Sequence, residues 1–538
     1  MMNRVIVAIF CLFLAGQVAV AAPKKTGTFY FNLGQGPTTL NPLSSTDYYA
    51  SQVQGQILEG LLDRDINTYE WQPALAEKWE IAKDGKSYFF TIRDGVKWHD
   101  GKPLTVEDVK FSFDAIVHPE NKYKTAHMKP YYENIASAEI VDKKTVKFTV
   151  KKVYFRNFDV VAGLTIVPRH LYENPSKKQL KKLNKTLIGT GAYMLDKYKR
   201  GKSLSLKANP NWWGLKDADQ AKKNNFKKVL MRFIKDPTIA ITRAEKGDLD
   251  FISLTSEDYV KKTGGAKWGK EINKFKVQNK APRGYGYIGW NLTSPKFKSV
   301  KTRKALYHLI NRELMIEKFR FGYSLPATGP LYQQSEYANK KVKPVEFNPK
   351  KALKLLREDG WKVDPKDNIL VKTIDGKKVK FTFTILEPRQ DFMKYLTIFK
   401  EDAKKAGVDI SLKYVEWNTF IKLLDEGKFD AVRLGWSAGS PEWDPKQIWH
   451  SSSMKGGSNY ISYSNPKVDK LIDQARVTVD KKKRTAMLKK VYKMIADDAP
   501  YAFLFNDKYT FYANRKRIQK EKDTYNYGIG TDHWWVTK

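Results

Sequence analysis

The chain has 538 residues and a formal net charge of +39, with a single cysteine, Cys11, in an apolar leader. Disulfides, zinc thiolate sites and a cysteine nucleophile are therefore excluded from everything after that leader. The basic residues are scattered in ones and twos, with Lys481–Arg484 the longest run, so they describe a uniformly cationic surface and not a nucleic-acid motif. Arg4, the apolar run Val5–Leu14 and the small residues Ala19-Val20-Ala21 have the layout of a cleaved signal peptide over residues 1–21. Gln17 stands where lipidation would need a cysteine, so an exported, unlipidated, periplasmic protein is expected. No later run approaches the roughly 18 apolar residues of a spanning helix.

Thr26–Leu33 is apolar enough for a strand, Gly34–Asn41 is a Gly/Pro loop, and Gln52–Leu62 places Val53, Ile57 and Leu61 on one helical face. Pro73–Asp114 has the clearest local logic. Lys83-Asp84-Gly85-Lys86 is a hairpin turn, and Tyr88, Phe90 and Ile92 alternate as a strand. Thr105 and Asp108 have the spacing of a capping box, ahead of Val106, Val109, Phe113 and Ile116 on one helical face. Ile140–Val150 is a further strand region. Val229–Ile234, Pro237–Gly247 and Leu249–Ser253 read as strand, helix, strand, hence a parallel pair. Tyr285–Asn291 is extended, Val300–Phe319 reads as one long helix, and Asn348-Pro349 opens another. Phe381–Leu386, Phe392–Ala406 and Asp409–Val415 repeat the strand–helix–strand plan, and Trp417–Asp425 and Phe429–Gly435 extend it. Val468–Ala475 and Arg484–Ala496 are amphipathic helices, and Ala502–Phe505 is a short apolar strand read as the return to the first lobe.

Two α/β units more than a hundred residues apart imply two lobes, with crossings near Arg283–Ile288 and Pro500–Phe505. Gly435-Trp436-Ser437-Ala438-Gly439 fits G-x-S-x-G, but the elbow of a hydrolase needs a helix directly after its serine. Pro441 and Pro445 oppose that helix, which leaves a serine hydrolase at Ser437 as a remote reading. The histidines show no i, i+4 pair, so no metal and no cofactor is expected, and His99 reads as a turn residue.

The stretches ALAEKWE and DGKSYFFTIRDGVKWHDGKPLTVEDVKFS resemble the signature of the family 5 extracellular solute-binding proteins, the peptide-binding components of ABC importers. Gly189-Thr190-Gly191-Ala192-Tyr193 is similar to that family's GTGPY turn, and Asn209-Pro210-Asn211-Trp212-Trp213-Gly214 to its NPxYW turn. The resemblance implies a two-lobed α/β fold of the periplasmic binding protein type II kind, with an extra subdomain on lobe one. The divisions expected are 22–63, 189–282 and 504–538 for lobe one, 64–188 for the subdomain, and 283–503 for lobe two. It implies a monomer, not an enzyme, that takes a peptide or other small solute to a permease in the inner membrane, with no nucleic acid involved.

The strand ending in Gly435-Trp436 resembles the one that enters the family's cleft, where loops beyond strand ends bind ligand. Arg433 matches an arginine that meets the peptide carboxylate, or else it pairs with a structural acid. Peptide-binding members carry an aspartate three residues after this tryptophan to hold the ligand's amine; here that position is Gly439. Glu442 or Asp444 would replace it if the loop is shifted; otherwise N-blocked peptides, longer peptides or another solute such as an oligosaccharide are implied. Trp436, Ser437, Trp443, Trp290 and Trp417 are candidates to line the cleft, core packing being the alternative for the tryptophans. Tyr287, Trp290 and Asn291 lie on the stretch expected to offer backbone bonds, faced from lobe one by Asn41, Thr46 and Tyr48.

Overall fold

The computed structural model describes residues 25–45, 47–118, 123, 125 and 128–536; the expected signal peptide with Cys11, and Thr46, lie outside them. Two sheets carry the two lobes. The first has seven strands in the order Ile272–Val277, Thr510–Arg515, Phe251–Leu254, Thr26–Asn32, Phe226–Arg232, Ser203–Ala208, Tyr193–Lys199. The second has six, Ser324–Pro326, Tyr501–Asp507, Tyr285–Trp290, Ala431–Trp436, Thr382–Glu387, Asp409–Tyr414. The architecture is the expected two-lobed α/β fold.

The Phe226–Arg232 and Phe251–Leu254 strands are parallel but not neighbours. Thr26–Asn32 slots between them and pairs in parallel with both. Helix Pro237–Glu245 crosses over it and packs Ala240, Ile241 and Ala244 on Ile252 and Ala513, one face of this sheet. In the second sheet, Thr382–Glu387 and Asp409–Tyr414 do pair directly, in parallel, through helix Met393–Lys405.

The chain leaves the first sheet at Val277 and enters the second at Tyr285. It returns between Asp507 and Thr510, not within Pro500–Phe505. Tyr501–Asp507 pairs with Tyr285–Trp290 and so stays in lobe two. Its run of six buried residues suits a strand covered on both faces. The expected long helix over Val300–Phe319 is also two, Val300–His308 and Arg312–Arg320. Asn311 Oδ1 accepts from Leu314 N–H at 3.0 Å and caps the second.

The extra subdomain is a four-stranded antiparallel sheet with its own core of Phe90, Val109, Phe113, Val146 and Phe148. Its capped helix, Val106–Val117, forms as expected. Asp108 accepts from Thr105 N–H at 3.0 Å and also from the Trp98 indole and Arg169 N–H, so the cap ties three segments together. Gly189 shows why the GTG turn needs glycine: a Cβ there would lie 1.9 Å from the Ile57 carbonyl oxygen. His99 braces the same turn, with Nε2 at 3.0 Å from the Gly191 carbonyl and Nδ1 accepting from Gly189 N–H.

Candidate functional site

A cavity of about 450 Å³ lies where the chain crosses between lobes and is lined from both. Lobe one contributes Ser253–Glu257, the C-terminal end of a parallel strand and the start of the next helix. Lobe two contributes Arg433 from the strand Ala431–Trp436 and, from the turn and helix that follow the strand Thr382–Glu387, Arg389, Asp391, Phe392, Lys394 and Tyr395. The loops at parallel strand ends therefore face each other across a gap.

The charges on its wall are five cations, Arg283, Arg320, Arg389, Lys394 and Arg433, against three acids, Glu257, Asp391 and Asp507. Most are paired. Arg389 forks onto Asp391 (Nε 3.0 Å, Nη2 2.5 Å), Arg320 meets Asp507 at 2.6 Å, and Lys394 bridges the lobes to Glu257. Arg433 lies flat over the Phe392 ring, 3.3 Å from its centroid, and 3.0 Å from Glu387, a carboxyl with no exposure. That contact is an ion pair without an aligned hydrogen bond: Arg433 Nε and Glu387 Oε2 are both left without one. Burial pushes Glu387 up to about 7 against the pull of Arg433, and burial brings Arg433 down to about 10. Arg283 bonds only to neutral groups, Asn279 Oδ1 at 3.0 Å and Thr510 Oγ1; among the described residues no carboxylate pairs with it. The wall has spare positive charge and incompletely bonded nitrogen, which suits a carboxylate.

A second cavity of about 370 Å³ runs along Trp436–Ser440 and Glu442–Asp444, with Tyr131 and Arg156 of the subdomain opposite. Arg283 lines both cavities, so one groove passes it. Trp436 stacks between Tyr287 and Tyr460, at 6.3 and 6.2 Å between centroids. Ser437 and Gly439 are exposed beside it, and Gly439 O accepts from the Tyr69 hydroxyl at 3.3 Å. The next helix starts only at Lys446, so the strand–turn–helix of a nucleophile elbow is not formed at Ser437.

The remaining expected site residues separate by what already holds them. Glu442 is bound by the Tyr337 hydroxyl and flanked by Arg484 at 3.5 Å and Lys481 at 3.6 Å. Asp444 accepts from the Tyr154 hydroxyl at 2.6 Å and from Arg476 Nε at 3.0 Å. Neither is a spare carboxylate. Trp443 is mostly buried, edge-on to Tyr492, and lines the cavity with its neighbours Glu442 and Asp444. Trp290 is fully buried against Phe297 and Phe383, a core residue and not a cleft wall. Asn291 and Asn41 are buried and spend their side chains on local backbone, the first on Gly427 and Phe429 carbonyls, the second on Leu43 N–H. Trp417 stacks on Phe420 at a helix start, away from both cavities. Tyr48 is exposed on a lobe-one helix beside a third cavity.

Sequence reasoning missed Arg283, Arg320 and Arg389. Arg389 had a usable signal: Glu387-Pro388-Arg389 follows a strand and precedes a helix, the position where such sheets present ligand contacts. Arg283 had none, because its place depends on where the chain changes lobes.

The profile of bacterial extracellular solute-binding proteins, family 5 (middle), matches residues 70–459. The chain is 29% identical over 542 residues to the oligopeptide-binding protein AppA of Bacillus subtilis (strain 168), covering 97% of this chain and 94% of that one. It is 25% identical over 524 residues to the dipeptide-binding protein of Escherichia coli (strain K12), covering 93% of each. The structure of Bacillus subtilis AppA in complex with a nonapeptide superposes with a TM-score of 0.83 at 28% identity, over 96% of this chain and 100% of that one.

Proposed function

The chain belongs to the bacterial extracellular solute-binding proteins of family 5, and from that premise we propose that it captures peptides between its lobes and delivers them to an ABC importer's permease. Capture makes and breaks no covalent bond. A ligand that touches both lobes favours the closed arrangement by its differential affinity for it. The observation that carries this reading is the interlobe cavity walled by Arg283, Arg389 and Arg433, where guanidinium groups outnumber the acids available to them. A peptide's terminal carboxylate fits that wall, and the aromatic groove at Trp436 leaves room for the chain to continue past Arg283.

Gly439 bears on which peptides are taken. With Glu442 and Asp444 already bonded, the groove has no free acid for an α-amine at this loop among the described residues. Longer or N-blocked peptides, held by the carboxylate end and by backbone bonds, follow from that. Export through residues 1–21 and action as a monomer in the periplasm complete the reading.

The test is to purify the protein from its host, denature it and identify released ligand by mass spectrometry. Thermal melting and small-angle scattering against peptide and oligosaccharide pools accompany it. Peptides in the released fraction, a raised melting temperature and a contracted particle are expected. A response to sugars alone, or to neither pool, would overturn the proposal.

A further inference from the structure

One face of the lobe-one sheet is sealed by helix Pro237–Glu245; the other is not fully covered. Phe31 and Phe251 belong to adjacent inner strands of that sheet, Thr26–Asn32 and Phe251–Leu254, yet both remain partly exposed. They open onto a cavity of about 270 Å³ beneath helix Tyr48–Gln54 and the 529–532 segment. Phe29, Phe31, Phe226 and Phe251 form an aromatic floor, with Phe29 stacked on Phe226 at 4.6 Å. Tyr48 and Gln52, both exposed, stand at the rim.

One residue connects this chamber to the cleft. Ser253 lines both it and the interlobe cavity, so the two meet at the end of one strand. The chamber's volume is below the roughly 300–1,000 Å³ of a pocket that takes a whole small ligand, so it suits a part of one. Among the described residues Asp532 is the only charged one lining it, which disfavours an acidic occupant. Left wet, the partly exposed faces of Phe31 and Phe251 give up the stabilisation that burial provides.

We propose that this chamber is a specificity pocket of lobe one, which takes a large apolar side chain, aromatic or long aliphatic, of a bound peptide. The inference rests on the peptide reading above. The main chain of the ligand would pass Ser253 in the cleft while the side chain turns in against Phe31 and Phe251.

The test walks a phenylalanine through alanine-based peptides of three to nine residues, with dissociation constants by calorimetry. One position should favour Phe over Ala by roughly ten- to a hundred-fold, the gain from burying one such side chain. Asp at that position should bind worse than Ala. Gln52→Trp, made from an exposed helical position, fills the chamber, and the Phe/Ala ratio should fall towards one. Gln52→Glu is a second reading if the first variant folds poorly: a charge at the rim should lower the same ratio. Peptides that bind with no selective position, or a ratio that survives both variants, would overturn the pocket alone. No binding by any peptide would overturn the functional reading along with it.

Discussion

The lobes meet along two seams, and they are finished differently. The cleft seam holds a cavity of about 450 Å³, an arginine with no carboxylate partner among the described residues, and an ion pair, Arg433–Glu387, with orphaned polar atoms. The seam between the extra subdomain and lobe two pairs its charges more fully, although Arg156 Nε and Arg484 Nε find no hydrogen-bond partner and a cavity of about 280 Å³ borders it. Arg476 meets Glu133 at 2.8 Å and Asp444 at 3.0 Å, and lies over the Tyr154 ring. Tyr154 donates to Asp444, and Phe155 N–H donates to the Arg476 carbonyl at 3.0 Å. Arg484 covers the Phe155 ring, and the Tyr131 hydroxyl bonds Gln447. One seam matches its arginines with carboxylates from the facing element; the other keeps Arg283, which no carboxylate among the described residues pairs with. A buried charge is tolerable only with its partners present, so the finished seam resists opening while the unfinished one attracts an anion.

The broadest expected effect comes from breaking the finished seam. Arg476→Ala leaves the buried Asp444 with the Tyr154 hydroxyl but no bonded cation, while Glu133 keeps Lys446 at 3.2 Å; loss of the charge-assisted bond to Asp444 costs about 1.5–3 kcal/mol. The closed population should fall, so every ligand should weaken by the same factor and the particle should expand in scattering. Unequal losses between ligands would show that this seam acts on the ligand and not on closure.

The unfinished seam should respond to ligand chemistry instead. Arg389→Ala should weaken peptides with a free carboxylate by about 1.5–3 kcal/mol, the range of a hydrogen bond to a charged group. C-terminal amides should be nearly unaffected, and equal losses for acid and amide would remove Arg389 from the site. A smaller effect follows pH. Glu387 is raised from 4.5 to about 7, so its contribution to stability is complete below 4.5 and is lost as pH rises through 7. As pH falls from 8 to 6 it takes up a proton and stops competing for Arg433. Affinity for carboxylate ligands should then rise roughly three- to ten-fold, with proton uptake in calorimetry. A flat profile, or the same trend in Glu387→Gln, would assign that change elsewhere.

The smallest is Gly439→Asp. A Cβ there meets nothing within 4 Å, so the fold should accept it. Free-amine peptides should gain about 0.2–1 kcal/mol, as exposed ion pairs do, and N-acetylated ones nothing. No difference between the two peptide classes would place the amine away from this loop.

Local features read well from the sequence alone. The turn at Gly85, with φ of +66°, and the helix opened by Thr105 were visible because each is decided by residues within a few positions of one another. The two-lobe plan followed from the order of strand and helix patterns. Three errors share a cause. The missed break at Asn311, the strand inserted between Phe226–Arg232 and Phe251–Leu254, and the return point after Asp507 each depended on what a segment packs against. Trp290 shows the same limit in the site, since an aromatic residue beside the crossing reads alike whether it faces cleft or core.

The sequence by itself determined the turns, the caps, the alternation of strands and helices and the excess of positive charge. All of these are written in near-neighbour spacing and composition. Tertiary structure decided which charges are spent. Arg476 finds Glu133 across 343 residues of chain, and Arg433 stays half-satisfied beside Glu387. The physical reason is that a charge's availability depends on burial and on the partners folding brings within a few ångströms, which no spacing along the chain encodes.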